Sequence, residues 1–153
     1  QLRLHPERFA KVSEASRSYL ASRYLEPNPR LSLTQHLRAH ATGGMDVSDG
    51  LVGDLTKMLQ ASAVTAEVNL DLVPFSAAAR ESIAQDASLF ETAVTGGDDY
   101  ELLISVPEQD AARFAAEVPD VTRIGMAKAG SEAPLFHHAG QKVTFKRGSF
   151  SHF

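Results

Sequence analysis

Apolar positions in this chain recur at two spacings, and the two alternate along its length. Residues 6–23 open with Pro6 and carry Phe9, Val12, Tyr19 and Leu20 as a broken helical stripe, which Pro27 and Pro29 end. Leu33 and Leu37 suggest a second, short helix. Strand-like residues then run into Asp46, and Leu51, Leu55, Met58 and Leu59 share one face of a helix over residues 51–61. Residues 66–72 alternate strictly, as a half-buried strand does, until Pro74 stops them; a short helix is expected over residues 77–84. Ala93 and Val94 lead into a Gly-Gly turn. Beyond it Tyr100, Leu102, Ile104 and Val106 fall on one strand face. Ser105-Val106-Pro107-Glu108 has the form of a capping box ahead of a helix burying Ala111, Phe114, Ala115 and Val118. Residues 121–126 and 141–146 read as final strands, with a turn-rich link over 130–140. The expected fold class is α/β (α+β), a layered sandwich with a mixed sheet.

Composition narrows the partners. A chain of 153 residues suits one core, burying roughly 68–70% of the unfolded surface. The formal charge of −4 and the scattered basic residues argue against nucleic acid as a partner. No apolar run approaches the roughly 18 residues of a spanning helix, so no membrane partner is expected. With no cysteine, disulfides and thiolate metal sites are excluded, which suits a cytoplasmic location. The six histidines lack zinc spacing; His137 and His138 are adjacent and read as solvated.

Two short segments carry chemistry. Gly43-Gly44-Met45-Asp46-Val47-Ser48-Asp49-Gly50-Leu51 places two carboxylates and a hydroxyl where a helix begins. A helix start offers unpaired N–H donors, and carboxylates beside it can hold Mg²⁺. Anions are favoured there, so Ser48 and the nearby amides suit a phosphate, which the carboxylates oppose unless Mg²⁺ lies between. The bland alternative is that Ser48 or Asp49 is an N-cap. Thr95-Gly96-Gly97-Asp98-Asp99-Tyr100-Glu101-Leu102 adds three carboxylates in four residues after a tight turn. These acids repel one another unless water, a cation or donors neutralise them; Asp98 and Asp99 could equally order the turn. Asp54, five residues after Asp49, does not share its helical face and reads as surface or supporting.

Met-Asp-Val-Ser-Asp-Gly-Leu followed by Thr-Gly-Gly-Asp-Asp-Tyr-Glu-Leu-Leu resembles the thiamine-monophosphate kinase family, within the aminoimidazole ribonucleotide synthetase-like superfamily of ATP-using proteins. Tyr24-Leu25-Glu26-Pro27-Asn28-Pro29-Arg30, Leu72-Val73-Pro74-Phe75 and the closing Phe150-Ser151-His152-Phe153 agree with it. The resemblance runs from about Arg23 to the last residue.

It implies phosphoryl transfer from ATP to thiamine monophosphate, giving thiamine diphosphate, with Mg²⁺ as cofactor and ATP as co-substrate. Asp46 and Asp49 would be metal ligands, Ser48 an ATP contact, and Glu101 and Phe150 substrate contacts. Glu101 could face the cationic thiazolium or accept a hydrogen bond from the aminopyrimidine. Phe150 could stack on the substrate's rings or pack in the core; Gly148-Ser149-Phe150 inserts one residue relative to the family's usual glycine-aromatic pair. No side chain is assigned a catalytic acid or base role. Residues 1–153 are expected to be one domain, the C-terminal half of a two-domain enzyme whose N-terminal ATP-binding domain has no counterpart here. The isolated chain is expected to be inactive and the full-length protein a homodimer. The alternatives are another member of the superfamily acting on a purine precursor or selenide, and a non-catalytic ligand-binding or partner-docking module.

Overall fold

The structure is a computed structural model and describes residues 1–146. Phe150, a candidate substrate contact, lies outside the described residues. Among the described residues, two sheets and six α-helices make up the fold. Strands β1 (Gly43–Val47) and β3 (Glu101–Ser105) form an antiparallel pair. Strands β2 (Val64–Asn69), β4 (Gly125–Ala129), β5 (Leu135–His138) and β6 (Gln141–Val143) form a sheet ordered β4-β2-β5-β6. The β2–β5 pairing is parallel and the other two are antiparallel, so the expected mixed sheet is present.

Helix α3 (Leu51–Ala61) packs on both sheets and presents Leu51, Val52, Leu55 and Leu59 to the core. These join Val47, Val68, Leu70, Val94, Leu103 and Phe136 in one cluster. Leu70 and Val94 keep 0% of their surface exposed, each worth roughly 1.5–3 kcal/mol of burial. A second cluster of Phe9, Val12 and Leu89 fixes the N-terminal segment.

The expected first helix is two pieces. Pro6–Phe9 is a 3-10 turn, and α1 (Glu14–Leu25) starts only after Ser13. Ser13 caps it, accepting from the Ser16 amide at 3.3 Å while its own amide donates to Glu81 at 2.6 Å. Helix α2 (Thr34–His40) matches the short helix expected around Leu33 and Leu37. Helix α4 (Ala77–Gln85) also stands where expected. The strand expected over 66–72 is β2 and stops at Asn69, whose side chain accepts from the Asp71 amide at 3.0 Å and turns Leu70–Leu72 into a 3-10 turn.

Helix α5 (Leu89–Thr95) occupies a stretch with no helical pattern and β-branched residues of low propensity. Burial of Leu89 and Val94 holds it in place. In β3 the inward residue is Leu103, opposite Met45, whereas Leu102 faces out. The expected face led by Tyr100 is therefore reversed, because pairing with β1 sets the register. The predicted capping box before helix α6 (Glu108–Glu117) does not form: no side chain caps that helix, and Glu108 instead pairs with Arg123. Strand β4 begins near the end of the expected 121–126 strand, β6 covers the start of 141–146, and β5 lies inside the expected turn-rich link.

Candidate functional site

The turn between β1 and α3 is built from below by Asp54. Strand β1 ends at Val47, and Gly50 rather than Ser48 or Asp49 is the N-cap of α3, without a side-chain cap bond. Asp54, in the first turn, reaches back so that its Oδ2 accepts from the amides of Ser48 and Asp49, each at 2.9 Å. Its other oxygen accepts from Lys57 Nζ at 3.0 Å, and the same ammonium donates to Asp49 Oδ2 at 2.7 Å. Burial disfavours the charged form of this carboxylate, which is 1% exposed, but the two amides and Lys57 outweigh it and hold its pKa below the usual aspartate value. The same two acids raise the pKa of Lys57.

The Gly-Gly loop lies directly on this turn. A Cβ on Gly97 would fall 2.1 Å from the Ser48 carbonyl oxygen, and one on Gly50, whose φ is +109°, would fall 2.6 Å from the backbone of Thr95. Only glycine permits both approaches. The amide of Asp98 then donates to the Ser48 carbonyl at 3.0 Å. Asp98 and Tyr100 both take left-handed conformations, at φ of +66° and +55°. A non-glycine residue is costly there and persists only when surroundings impose it. Water lost to surrounding protein atoms raises the pKa of Asp99 to about 6, with Glu101, Asp98 and Asp54 adding negative charge. Asp99 is nevertheless an exposed residue.

Glu101 starts β3 and is held from the far end of the chain. Arg30 donates to both of its oxygens, at 2.7 and 2.5 Å, and Arg23 donates at 3.4 Å. The bond to Glu101 is the main cause of the raised Arg30 pKa.

Residues 8–137 match the family described as AIR synthase related protein, C-terminal domain. The chain belongs to this family. Thiamine-monophosphate kinase of Escherichia coli (strain K12) is 38% identical over 140 residues, covering 88% of this chain and 42% of that protein. A structure described as AaThiL complexed with AMPPCP and TMP superposes with a TM-score of 0.74 at 30% identity, covering 92% of this chain and 43% of that one. The thiamine-monophosphate kinase of Stenotrophomonas maltophilia K279a gives 0.70 at 36% identity, with 85% and 41% covered. The chain thus spans about two fifths of the length of the relatives it matches.

Within this AIR synthase related domain the expected site residues divide. Ser48, Asp49, the Gly96–Gly97 loop and Glu101 gather around one junction. Asp46 lies opposite Leu102 on the exposed face of the β1–β3 pair, while Glu101 lies opposite Val47 on the other face. Asp54, Lys57, Arg23 and Arg30 were not among the expected site residues. The signal for Asp54 was its place in the first turn of α3, within reach of amides outside the helix. The i,i+4 face rule does not apply across that boundary, and of the two readings of Asp54, surface or supporting, the structure shows the supporting one, with the residue buried. Nothing local in the sequence points Arg30 at Glu101, 71 residues away.

Proposed function

We propose that this chain is the C-terminal domain of an ATP-dependent thiamine-phosphate kinase, completed by an N-terminal domain that holds most of the nucleotide. The observation that carries the reading is the seating of the Gly97–Asp98 backbone on Ser48, which brings both acidic segments to one junction. Relatives named thiamine-monophosphate kinase, and a neighbour complexed with AMPPCP and TMP, support the choice over a purine or selenide substrate.

The donor set fits a shared magnesium site rather than a complete cage. Among the described residues no group of three or more His, Asp or Glu converges as a metal cluster. Magnesium bound with a nucleotide takes one or two carboxylates, with phosphates and water filling the rest. Asp49 would supply one carboxylate from the junction, although it already gives one oxygen to Lys57, and Asp46 would supply another from the exposed face of the β1–β3 pair. When bound, the ion would neutralise phosphate charge.

This chain's residues position and orient. Asp54 holds the Ser48–Asp49 backbone so that the Ser48 hydroxyl is offered to the nucleotide. Glu101 receives thiamine monophosphate. A phosphate oxygen of that substrate bonds to the γ-phosphorus of ATP as the bond to the β–γ bridging oxygen breaks, and ADP leaves with the electron pair. The attacking monoester is largely ionised near neutral pH, so no general base is required. The complete protein is a cytoplasmic homodimer in this reading; no helix among the described residues is long and apolar enough to cross a membrane.

The test is turnover. The complete polypeptide should convert ATP and thiamine monophosphate to ADP and thiamine diphosphate, and purified residues 1–153 alone should not. Failure of the complete polypeptide would remove the kinase reading, and turnover by the isolated chain would overturn the division of labour.

A further inference from the structure

Glu101 is an unusual acid for a ligand site, because its charge is already matched. Arg30 approaches it as a fork, with Nε on one oxygen and a terminal nitrogen on the other, and Arg23 adds a third donor. Two guanidiniums face one carboxylate. The Glu101 side chain is nevertheless 43% exposed, and its oxygens have about four lone-pair directions between them, of which the fork takes two and Arg23 a third. What remains open is an oriented acceptor.

We propose that Arg30 is a positioning residue for ligand recognition: it fixes the Glu101 carboxylate so that Glu101 reads a hydrogen-bond donor on the ligand, the amino group of an aminopyrimidine, and not the positive charge of the thiazolium. The proposal rests on the reading that Glu101 receives thiamine monophosphate. Its physical basis is that a bidentate guanidinium pair is planar and fixes direction. A free carboxylate would attract a cationic ring from many angles. One whose charge is met by Arg30 and Arg23 gives little net attraction and discriminates by the direction of its remaining lone pair. Arg30 follows Pro27 and Pro29, whose locked φ values stiffen the connector that delivers the fork. The neighbouring acids Asp98 and Asp99 precede the strand, and no hydrogen bond ties either to the fork.

The experiment compares two probes by calorimetry on the complete polypeptide. One is thiamine monophosphate; the other is the same molecule with an oxo group replacing the pyrimidine amino group. Both carry the thiazolium and the phosphate. The unaltered protein should prefer the amino compound by about tenfold or more, the worth of one hydrogen bond to a charged acceptor. Arg30→Lys keeps the charge but cannot fork, and should bring that preference close to one while leaving affinity for the oxo compound within about twofold; Arg30→Gln removes the charge, and should also bring the preference close to one with affinity for the oxo compound equal or higher. Glu101→Asp, one methylene shorter, keeps the carboxylate and breaks the fork, and should lose the preference likewise. It decides the matter if the Arg30 variants fail to fold. An unchanged preference in the variants, or an equal weakening toward both probes, overturns the positioning role. An unaltered protein that binds neither probe overturns the underlying reading of Glu101 instead.

Discussion

The backbone amide of Asp98 donates to the carbonyl of Ser48 at 3.0 Å, and Gly97 lies so close above that carbonyl that no side chain fits between. Two acidic segments, 50 positions apart in the chain, are joined through backbone rather than side chains. Carboxylates repel, so nothing in their own charge would assemble them. Main-chain geometry does it, and leaves the side chains of Ser48, Asp49 and Asp98 without obligations to one another.

Gly97→Ala tests that junction. The added methyl would stand 2.1 Å from the Ser48 oxygen, a backbone atom that cannot swing aside. The loop must lift and its bond to Ser48 must break. We expect a loss of about 1–3 kcal/mol, the usual cost of overpacking, and a Tm lower by about 2–10 °C for a chain of this size. Thermal unfolding of the variant measures it. A Tm unchanged within 1 °C of error, on the order of the smallest shift resolvable, would mean that the loop does not bear on Ser48.

Asp54→Ala tests the support beneath the turn. The substitution removes the acceptor from the Ser48 and Asp49 amides and deprives Lys57 of one of its two acids. The expected destabilisation is about 2–4 kcal/mol, from two lost hydrogen bonds to a charged acceptor. Asp54→Asn retains one acceptor oxygen and should fall roughly midway. Denaturant unfolding curves for the three proteins give the order, and an alanine variant as stable as the parent would show that the amides find other partners.

Asp99→Asn should change how stability depends on pH. Crowding by protein atoms, and then the charges of Glu101, Asp98 and Asp54, place the Asp99 pKa at about 6 in the folded chain. The unfolded value is about 4. Between the two the folded state binds more protons, so this group's contribution to stability is present at low pH and is lost as pH rises through about 6. Asparagine cannot ionise and escapes that loss. The variant's Tm should exceed the parent's at pH 8, and the gap should shrink toward pH 4. A gap that stays constant across this range would show that Asp99 titrates as an ordinary surface acid.

The sequence by itself determined the parts whose signal is local. The apolar face of α3 repeats at the helical interval, so Leu51, Leu55 and Leu59 were legible as core, and they are buried. Gly96 and Gly97 marked a tight turn, and the two acidic segments were legible as a candidate site. Tertiary structure decided whatever depended on a distant partner. Helix α5 has weak propensity and exists because Val94 and Leu89 are buried. The inward side of β3 follows its pairing with β1, which put Leu103 rather than Leu102 in the core. Asp54 became a buried support because the turn places two amides where its carboxylate can reach. Arg30 found Glu101 only because the fold carries the segment after Pro29 back to the start of β3. Periodicity reports which face of an element is apolar; which charges meet is a property of the closed chain, in which residues far apart in sequence become neighbours.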